Sequence, residues 1–401
     1  MQSKMPMIEC IVTFRCDCFF GRLLELAAMG CRRQSIVLFI FNFSRGAGSE
    51  RAAATLANYL AGAGYDVAVL SICGDNTSFY DIDDRVELHT LFSHEIIDNR
   101  RDMARVLKAL RQFYSLRTID LVIDVFAGLS LYTNAVKRHF SFKNITWEHF
   151  SLGNETPVSR LARFCAVHFS DQLVVLTKAD LSGYCRRYAR SAVRVKAIYN
   201  ASPYNCEIPL PFSDRKKVVL AIGRLTRVKR FDRILKVWSA LEGNHSDWTL
   251  RIAGDGELRD ALRAECAELG LRHVSFLGQV LKLEDEYREA SIIVSTSESE
   301  ALPMNLIEAL SFGVPAVTLD YQTGPREILQ QGVSGFIAEG ETVDDQMNAM
   351  TERLDKLMSD NTLLSSMMAS AAQGAKAFSL DEIGGQWLSL IHELLNDDTA
   401  N

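Results

Sequence analysis

Ser291 to Leu329 reads SIIVSTSESEALPMNLIEALSFGVPAVTLDYQTGPREIL, a succession of strand, loop, helix, tight turn, strand, loop and helix. Ile292, Ile293 and Val294 are a short β-branched run that suits a buried strand. Ser295 to Ala301 is too polar to continue it. Pro303 suits a helix's first turn, where its missing N–H costs nothing. Gly313 suits the C-terminal cap, and Val314 to Leu319 is the next strand. In α/β proteins ligands sit between a strand's carboxyl end and the following helix's amino end. The amides of Met304 to Leu306 make that helix start a natural anion site.

Two carboxylates bracket the anion site. Glu300 lies in the loop, and Glu308 about one and a half turns into the helix. Helical side chains lean toward the N-terminus, so Glu308 points back at the anion. A phosphate flanked by carboxylates suits a phosphorylated ligand with hydroxyls to hold, such as a nucleotide sugar. Acids are also favoured at helix starts and are commonly exposed, so the pair alone reads more readily as solvated charge.

The surrounding residues change that balance. Glu300, the gap holding Leu302-Pro303-Met304, Glu308-Ala309-Leu310, Gly313-Val314-Pro315 and Gly324-Pro325-Arg326-Glu327 together resemble the retaining glycosyltransferases of family 4. The resemblance implies an α/β chain of GT-B fold: two Rossmann-like domains whose parallel sheets face a cleft. It implies that Glu300 holds the donor sugar's hydroxyls and Glu308 the nucleotide's ribose. The backbone after Glu300, through Leu302, Pro303, Met304 and Asn305, would take the diphosphate. The family usually has Gly after the first Glu; Ala301 here would tighten the donor pocket.

Upstream, Val218 to Ile222 is a strand that ends in Gly223-Arg224-Leu225-Thr226-Arg227-Val228-Lys229, followed by a helix from Phe231 to Leu241. Arg224 and Lys229 leave the strand's carboxyl end, offering a fork and a point charge to phosphate. Their spacing resembles the family's diphosphate-binding pair. Leu250 to Ala253 is a strand and Gly254-Asp255-Gly256-Glu257 turns into a helix ending at Leu269. Val274 to Leu277 is another strand, and Gln279-Val280 after it resembles the loop that lies against the nucleobase. The helix from Leu380 to Leu395 resembles the one that crosses back to the first domain in GT-B proteins.

The first half opens with a βαβ unit. Ile36 to Phe43 is an apolar strand, Gly46-Ala47-Gly48 a glycine loop, the helix runs to Leu60, and Tyr65 to Leu70 is the second strand. Arg51 stands where a dinucleotide fingerprint needs its third glycine, which disfavours a nicotinamide dehydrogenase. In the resemblance, Gly46 and Gly48 approach the sugar-phosphate; a turn that needs glycine explains Gly46 equally well. Asp81-Ile82-Asp83 follows a loop-like run and reads as solvated charge. Residues 95–117 read as a basic helix with Met103, Val106, Leu107 and Leu110 as its apolar face. Ile145 to Phe150 is a strand entering a loop. A His at a strand end is often structural, but His149 matches a family His beside the donor sugar. Glu148 is a weaker candidate. Val158 to Phe169 is a helix with Arg160 and Arg163 beside Leu161, Phe164 and Val167; with Arg186, Arg187 and Arg190 it suits a membrane surface. Thr177 caps the next helix.

The 401 residues suffice for two cores, and 48% hydrophobic with 23% charged residues is ordinary for a globular chain. No apolar run reaches the length of a membrane span. Residues 1–196 carry 25 Lys and Arg against 19 Asp and Glu, a balance of +6, whereas 197–401 carry 19 against 31, a balance of −12. The basic half suits an anionic lipid surface or a lipid-diphosphate acceptor as well as it suits chance. Nine cysteines without repeated spacing suit free thiols. Cys10, Cys16, Cys18 and Cys31 crowd the first segment, but no nearby His completes a metal site.

The reading therefore divides the chain into an N-terminal extension of unassigned role (1–34, with a short helix at Leu23 to Met29), an acceptor-side domain (35–198), a proline-bearing linker (199–217), a donor-binding domain (218–378) and a terminal helix (379–401). The resemblance covers about 36–396. It implies hexosyl transfer from a nucleoside-diphosphate sugar, UDP being the commonest nucleotide in the family, to a glycan or lipid-linked glycan acceptor in surface polysaccharide assembly. The anomeric configuration would be retained. Neither cofactor, metal nor nucleic acid is expected. Location would be cytoplasmic, peripheral at the membrane's inner face. A nucleotide-sugar epimerase on the same fold and a non-catalytic sugar-nucleotide-binding subunit remain alternatives.

Overall fold

The computed structural model describes residues 32–98, 101–153, 155–205 and 210–396. The Leu23 to Met29 helix and the four N-terminal cysteines lie outside these residues. The first sheet is formed by β1 (Ser35–Ile40), β2 (Asp66–Gly74), β3 (Glu87–Ser93), β4 (Leu121–Asp124), β5 (Lys143–Glu148), β6 (Gln172–Val175) and β7 (Val195–Ala197). The second is formed by β8 (Val218–Ile222), β9 (Thr249–Ala253), β10 (Val274–Gly278), β11 (Ile292–Ser295), β12 (Ala316–Leu319) and β13 (Gly335–Ala338).

The spatial orders are β3-β2-β1-β4-β5-β6-β7 and β10-β9-β8-β11-β12-β13, and every pairing is parallel. Helices cover both faces, so central strands are apolar throughout rather than alternating. Ile36 aligns with Val67 on one side and Leu121 on the other; Ile293 aligns with Leu220 and Ala316. All six of these residues are buried. In each sheet the strand order reverses beside the first strand, between β1 and β4 and between β8 and β11. Ligands of doubly wound sheets bind outside the carboxyl ends at such reversals.

Two edge strands, β3 and β7, carry no clear strand signal in the sequence. β3 is half-exposed along most of its length, so burial never selected an apolar run there. The basic helix is shorter than its charge pattern suggests, Met103–Ser115, with Asp98 and Asp102 making a turn before it. Val106 and Leu110 are buried on its inner face, but Met103 is exposed.

The halves are joined by more than the linker. Helix Leu380–Asn396 packs on helix Gly48–Gly62: Gly384 lies so close to Tyr59 that a Cβ would meet its ring at 2.3 Å. Trp387 meets Trp147 edge-on, with centroids 4.9 Å apart. The outgoing and returning segments touch where the Ser202 amide donates to the Phe378 carbonyl at 2.8 Å. Glu327 reaches from the second domain to cap helix Lys178–Tyr188 of the first, accepting from the Lys178 and Ala179 amides at 2.7 and 2.9 Å and from the Tyr199 hydroxyl.

Candidate active site

The cleft at the two strand reversals has adjoining compartments of about 750 and 350 Å3. That is the size range of small-molecule sites. Gly46, Arg224, Gln279 and Val280 line the larger; Gly48, Lys229, Glu300, Leu302, Met304, Asn305 and Glu308 line the smaller. Residues separated by hundreds of positions thus share one space. Arg51 and Tyr80 border both compartments.

The second domain's wall is built at the ends of adjacent strands. β8 leads to Gly223 and Arg224, and β11 leads to Glu300. Gly254 has φ +143°, and a Cβ there would lie 1.9 Å from the Gly223 carbonyl oxygen. Only glycine lets the loops after β8 and β9 approach this closely. Arg224 is exposed and makes no ion pair with a described residue. The Lys229 ammonium pairs with a Glu300 carboxylate oxygen at 2.6 Å, and the other oxygen accepts from Ser297 Oγ at 2.8 Å. Thr323 Oγ1 donates to the Glu300 carbonyl.

Helix Met304–Ser311 begins one residue later than its sequence suggests: Pro303 is the N-cap, and no side chain caps the helix. Asn305 Nδ2 donates to the Ile222 carbonyl at 3.1 Å, fixing the helix start against β8. Its Oδ1 takes the Leu306 amide, and no described group takes the Met304 and Asn305 amides. Pro303 packs on Gly324, where φ is +103° and a Cβ would meet the proline ring at 2.2 Å. That contact explains the glycine of the Gly324-Pro325-Arg326-Glu327 turn.

Glu308 is buried, and its carboxylate is already engaged. Arg51 Nη1 donates to it at 3.1 Å and the Tyr287 hydroxyl at 2.8 Å. Burial pushes its carboxyl above the ordinary range, while Arg51 and Tyr287 oppose the shift. Arg51 also bonds the Tyr204 hydroxyl and lies over the Tyr80 and Tyr204 rings, 5.4 and 5.0 Å from their centroids. The ion pair spans the cleft, since Arg51 belongs to the first turn of helix Gly48–Gly62.

The first-domain wall differs from its sequence reading in several places. Gly46 has no positive φ, so the turn explanation for it falls away; it packs against Phe79. Nothing lies within 4 Å of a Cβ built on Gly48, so this glycine leaves open space in the pocket. Asp83 pairs with Arg85 on the surface, but Asp81, Phe79 and Tyr80 of the same loop line the cleft. No local pattern marks that loop as part of the site.

His149 follows β5 with its ring 4.4 Å from that of Trp147. Burial lowers its pKa to about 3, so the imidazole is neutral, and Nε2 has no partner among the described residues. Glu148 is turned away into a buried ion pair with Arg163 at 3.1 Å, and it accepts the Phe150 amide at 3.0 Å. Arg163 is 1% exposed and also donates to the Phe150 and Ser151 carbonyls. The pair therefore moulds the loop after His149. That corrects two readings: Glu148 is not a cleft residue and Arg163 is not a surface cation.

Residues 208–375 match the family model for glycosyl transferases group 1. The chain is 28% identical over 363 residues to an uncharacterized glycosyltransferase of Haemophilus influenzae, covering 89% of this chain and 100% of that one. It is 27% identical over 369 residues to the amylovoran biosynthesis glycosyltransferase AmsD of Erwinia amylovora, covering 89% and 99%. It is 28% identical over 370 residues to a Campylobacter jejuni alpha-1,4-N-acetyl-D-galactosaminyltransferase, whose named substrate is a GalNAc-alpha-(1->4)-GalNAc-alpha-(1->3)-diNAcBac-PP-undecaprenol, covering 90% and 99%. Among solved structures, S. aureus TarM with fondaparinux, alpha-GlcNAc-glycerol and UDP superposes with TM-score 0.73 at 12% identity, covering 89% of this chain and 99% of that one. Anabaena HepE with UDP and glucose gives TM-score 0.71 at 17%, covering 89% and 99%. Residues 208–375 are thus similar to the glycosyl transferases group 1, in a chain whose fold is GT-B.

Proposed function

We propose that this protein is a retaining glycosyltransferase of surface polysaccharide assembly. It moves a hexosyl unit from a nucleoside-diphosphate sugar, a UDP-sugar, to a hydroxyl of a glycan or lipid-linked glycan. The observation that carries this reading is the convergence of Arg224, Lys229, Glu300, the Met304 and Asn305 amides and Glu308 on one cleft. The relatives named as polysaccharide and lipid-linked glycan transferases support it, and none of those named is an epimerase.

In this reading the diphosphate lies between Arg224, Lys229 and the helix start. These donors are fixed before the sugar–phosphate bond breaks, so they meet the leaving charge without reorganising. Glu300 takes the sugar's hydroxyls and positions the ring; it is not the nucleophile. The acceptor hydroxyl attacks the anomeric carbon from the leaving group's side and passes its proton to the departing phosphate oxygen, which retains configuration without a protein adduct. Neutral His149 offers Nε2 to the sugar. Gln279 and Val280 border the nucleobase. Glu308 exchanges its Arg51 partner for the ribose hydroxyls, releasing the guanidinium inside the cleft beside the incoming anion.

The test is a metal-free thermal-shift screen against UDP-, GDP- and ADP-sugars, repeated on Arg224→Ala. Ligand at 100 times its Kd stabilises by about 2.7 kcal/mol. A shift with UDP-sugars that vanishes in the variant is expected. No shift with any donor in folded protein would overturn the donor assignment. Donor turnover without an acceptor, to an epimeric sugar nucleotide, would revive the epimerase.

A further inference from the structure

Helix Pro157–Phe169 has two apolar faces where a surface helix needs one. Ala162, Ala166 and Val167 are buried against the domain. On another face Val158, Leu161, Phe164 and Phe169 are 51%, 57%, 44% and 59% exposed. Val158, Leu161 and Phe164 recur every three residues and make a ridge, and Phe169 adds apolar surface at the helix end. A groove runs along each side of the ridge, one bordered by Arg160, Leu161 and Tyr188, the other by Leu131, Phe140 and Phe169. Contiguous exposed apolar surface of this kind marks a contact with another apolar phase.

The charges around it select the phase. Arg160, Arg187 and Arg138 are exposed and border these grooves. The carboxylate paired within that rim, Glu155, is shared by Arg160, Arg163 and Arg187. An aromatic and aliphatic ridge in a basic rim is complementary to a bilayer surface with anionic headgroups. No described helix is long and apolar enough to cross a membrane, so such a contact is interfacial.

The ridge is also tied to the cleft. The chain after His149 leads to the helix, and Arg163, paired with Glu148, holds its first carbonyls, those of Phe150 and Ser151. Within it Gly153 abuts Gln322, where a Cβ would lie 2.9 Å from Oε1. The neighbouring Thr323 holds the Glu300 carbonyl. Phe150, 60% exposed at the start of the loop, meets Phe126 edge-on with centroids 6.2 Å apart.

We propose that helix Pro157–Phe169 is the surface by which the protein rests on an anionic phospholipid bilayer, so that a lipid-linked acceptor reaches the cleft past Phe150 to Gly153. Its purpose rests on the transferase reading above; its chemistry does not. The test is cosedimentation of the full chain with vesicles of phosphatidylcholine alone or with phosphatidylglycerol at three parts in ten, a probe composition chosen for its charge. Binding to the anionic vesicles, at least tenfold weaker to the neutral ones, is expected. Leu161→Glu/Phe164→Glu and, separately, Arg138→Ser/Arg160→Ser should each weaken it about tenfold or more while leaving the UDP-sugar thermal shift intact. Failure of the wild-type chain to sediment, or equal binding by the Leu161→Glu/Phe164→Glu variant, overturns the proposal. So does conversion of a dimer to a monomer by that variant without loss of vesicle binding, which assigns the ridge to a second copy. Vesicle binding without any donor shift would sustain the bilayer contact and overturn the transferase reading; a donor shift without vesicle binding does the reverse.

Discussion

The two walls of the cleft are made differently. The second-domain wall draws its charged groups from loops at the ends of adjacent strands β8 and β11, backed by one helix start and by glycines that permit close approach. The first-domain wall is assembled from a glycine loop, an aromatic loop at Phe79 and Tyr80, and two arginines, Arg45 and Arg51. The first kind of wall concentrates fixed charge where a diphosphate would lie. The second supplies shape, and a cation, Arg51, that is engaged by Glu308 until something displaces it. This difference predicts that chemistry depends on one wall and donor affinity on both.

The largest expected effect follows from Lys229→Ala. It removes a fixed donor and leaves Glu300 without its cation, and losing one such preorganised donor costs about 100- to 1000-fold in kcat. Initial rates of donor consumption measure it. Full activity in both Lys229→Ala and Glu308→Ala would remove the charged wall from the mechanism. Arg51→Ala should raise the donor KM about tenfold, equivalent to about 1.4 kcal/mol, with a smaller change in kcat. Arg51→Lys should recover part of it. A kcat loss as large as that of Lys229→Ala would erase the distinction between the walls.

His149 sharpens the comparison through pH. Its folded pKa of about 3 lies below the ordinary 6.5, so the unfolded chain takes the proton first as pH falls. Its contribution to stability is therefore lost progressively below about pH 6.5, and the native imidazole does not titrate between pH 5 and 8. Resonances of isotope-labelled histidine, assigned with His149→Gln, test this; a step near pH 6.5 would show an open, solvated ring. The smallest effect on activity is expected at Asp124, buried at the end of β4 and accepting from Thr133 Oγ1. Burial raises its pKa from 3.8 to about 7, so the folded state holds an extra proton between those values and loses stability as pH rises through that window. Relative to wild type, Asp124→Asn should have a Tm that compares more favourably at pH 7 than at pH 4, with donor turnover within about twofold.

Much of the second-domain wall is legible in the chain because its parts are local. A β-branched run, a polar loop, Pro303 and Gly313 set strand, loop and helix within a short stretch, and each local signal agrees with its neighbours. The structure brings Arg224, Lys229, Glu300 and Glu308 to one cleft, although their ligands remain a proposal. The edge strands β3 and β7 were illegible because a half-exposed edge places no demand on sequence. The sequence also could not reveal that Glu148 belongs to Arg163, since burial rather than spacing decides which acid a cation satisfies.

What the residues determined by themselves is the βα alternation and the strand ends at which charged loops emerge, both consequences of short-range propensity and apolar patterning. What only tertiary structure decided is who meets whom across the cleft. Arg51 and Glu308 are 257 positions apart, and Glu327 caps a helix 149 positions away. Such pairs depend on two separately folded walls being brought face to face, with burial making the unpaired alternatives costly. The apolar ridge of helix Pro157–Phe169 belongs to the same category: its composition was visible, but which of its faces the domain leaves uncovered was settled by packing.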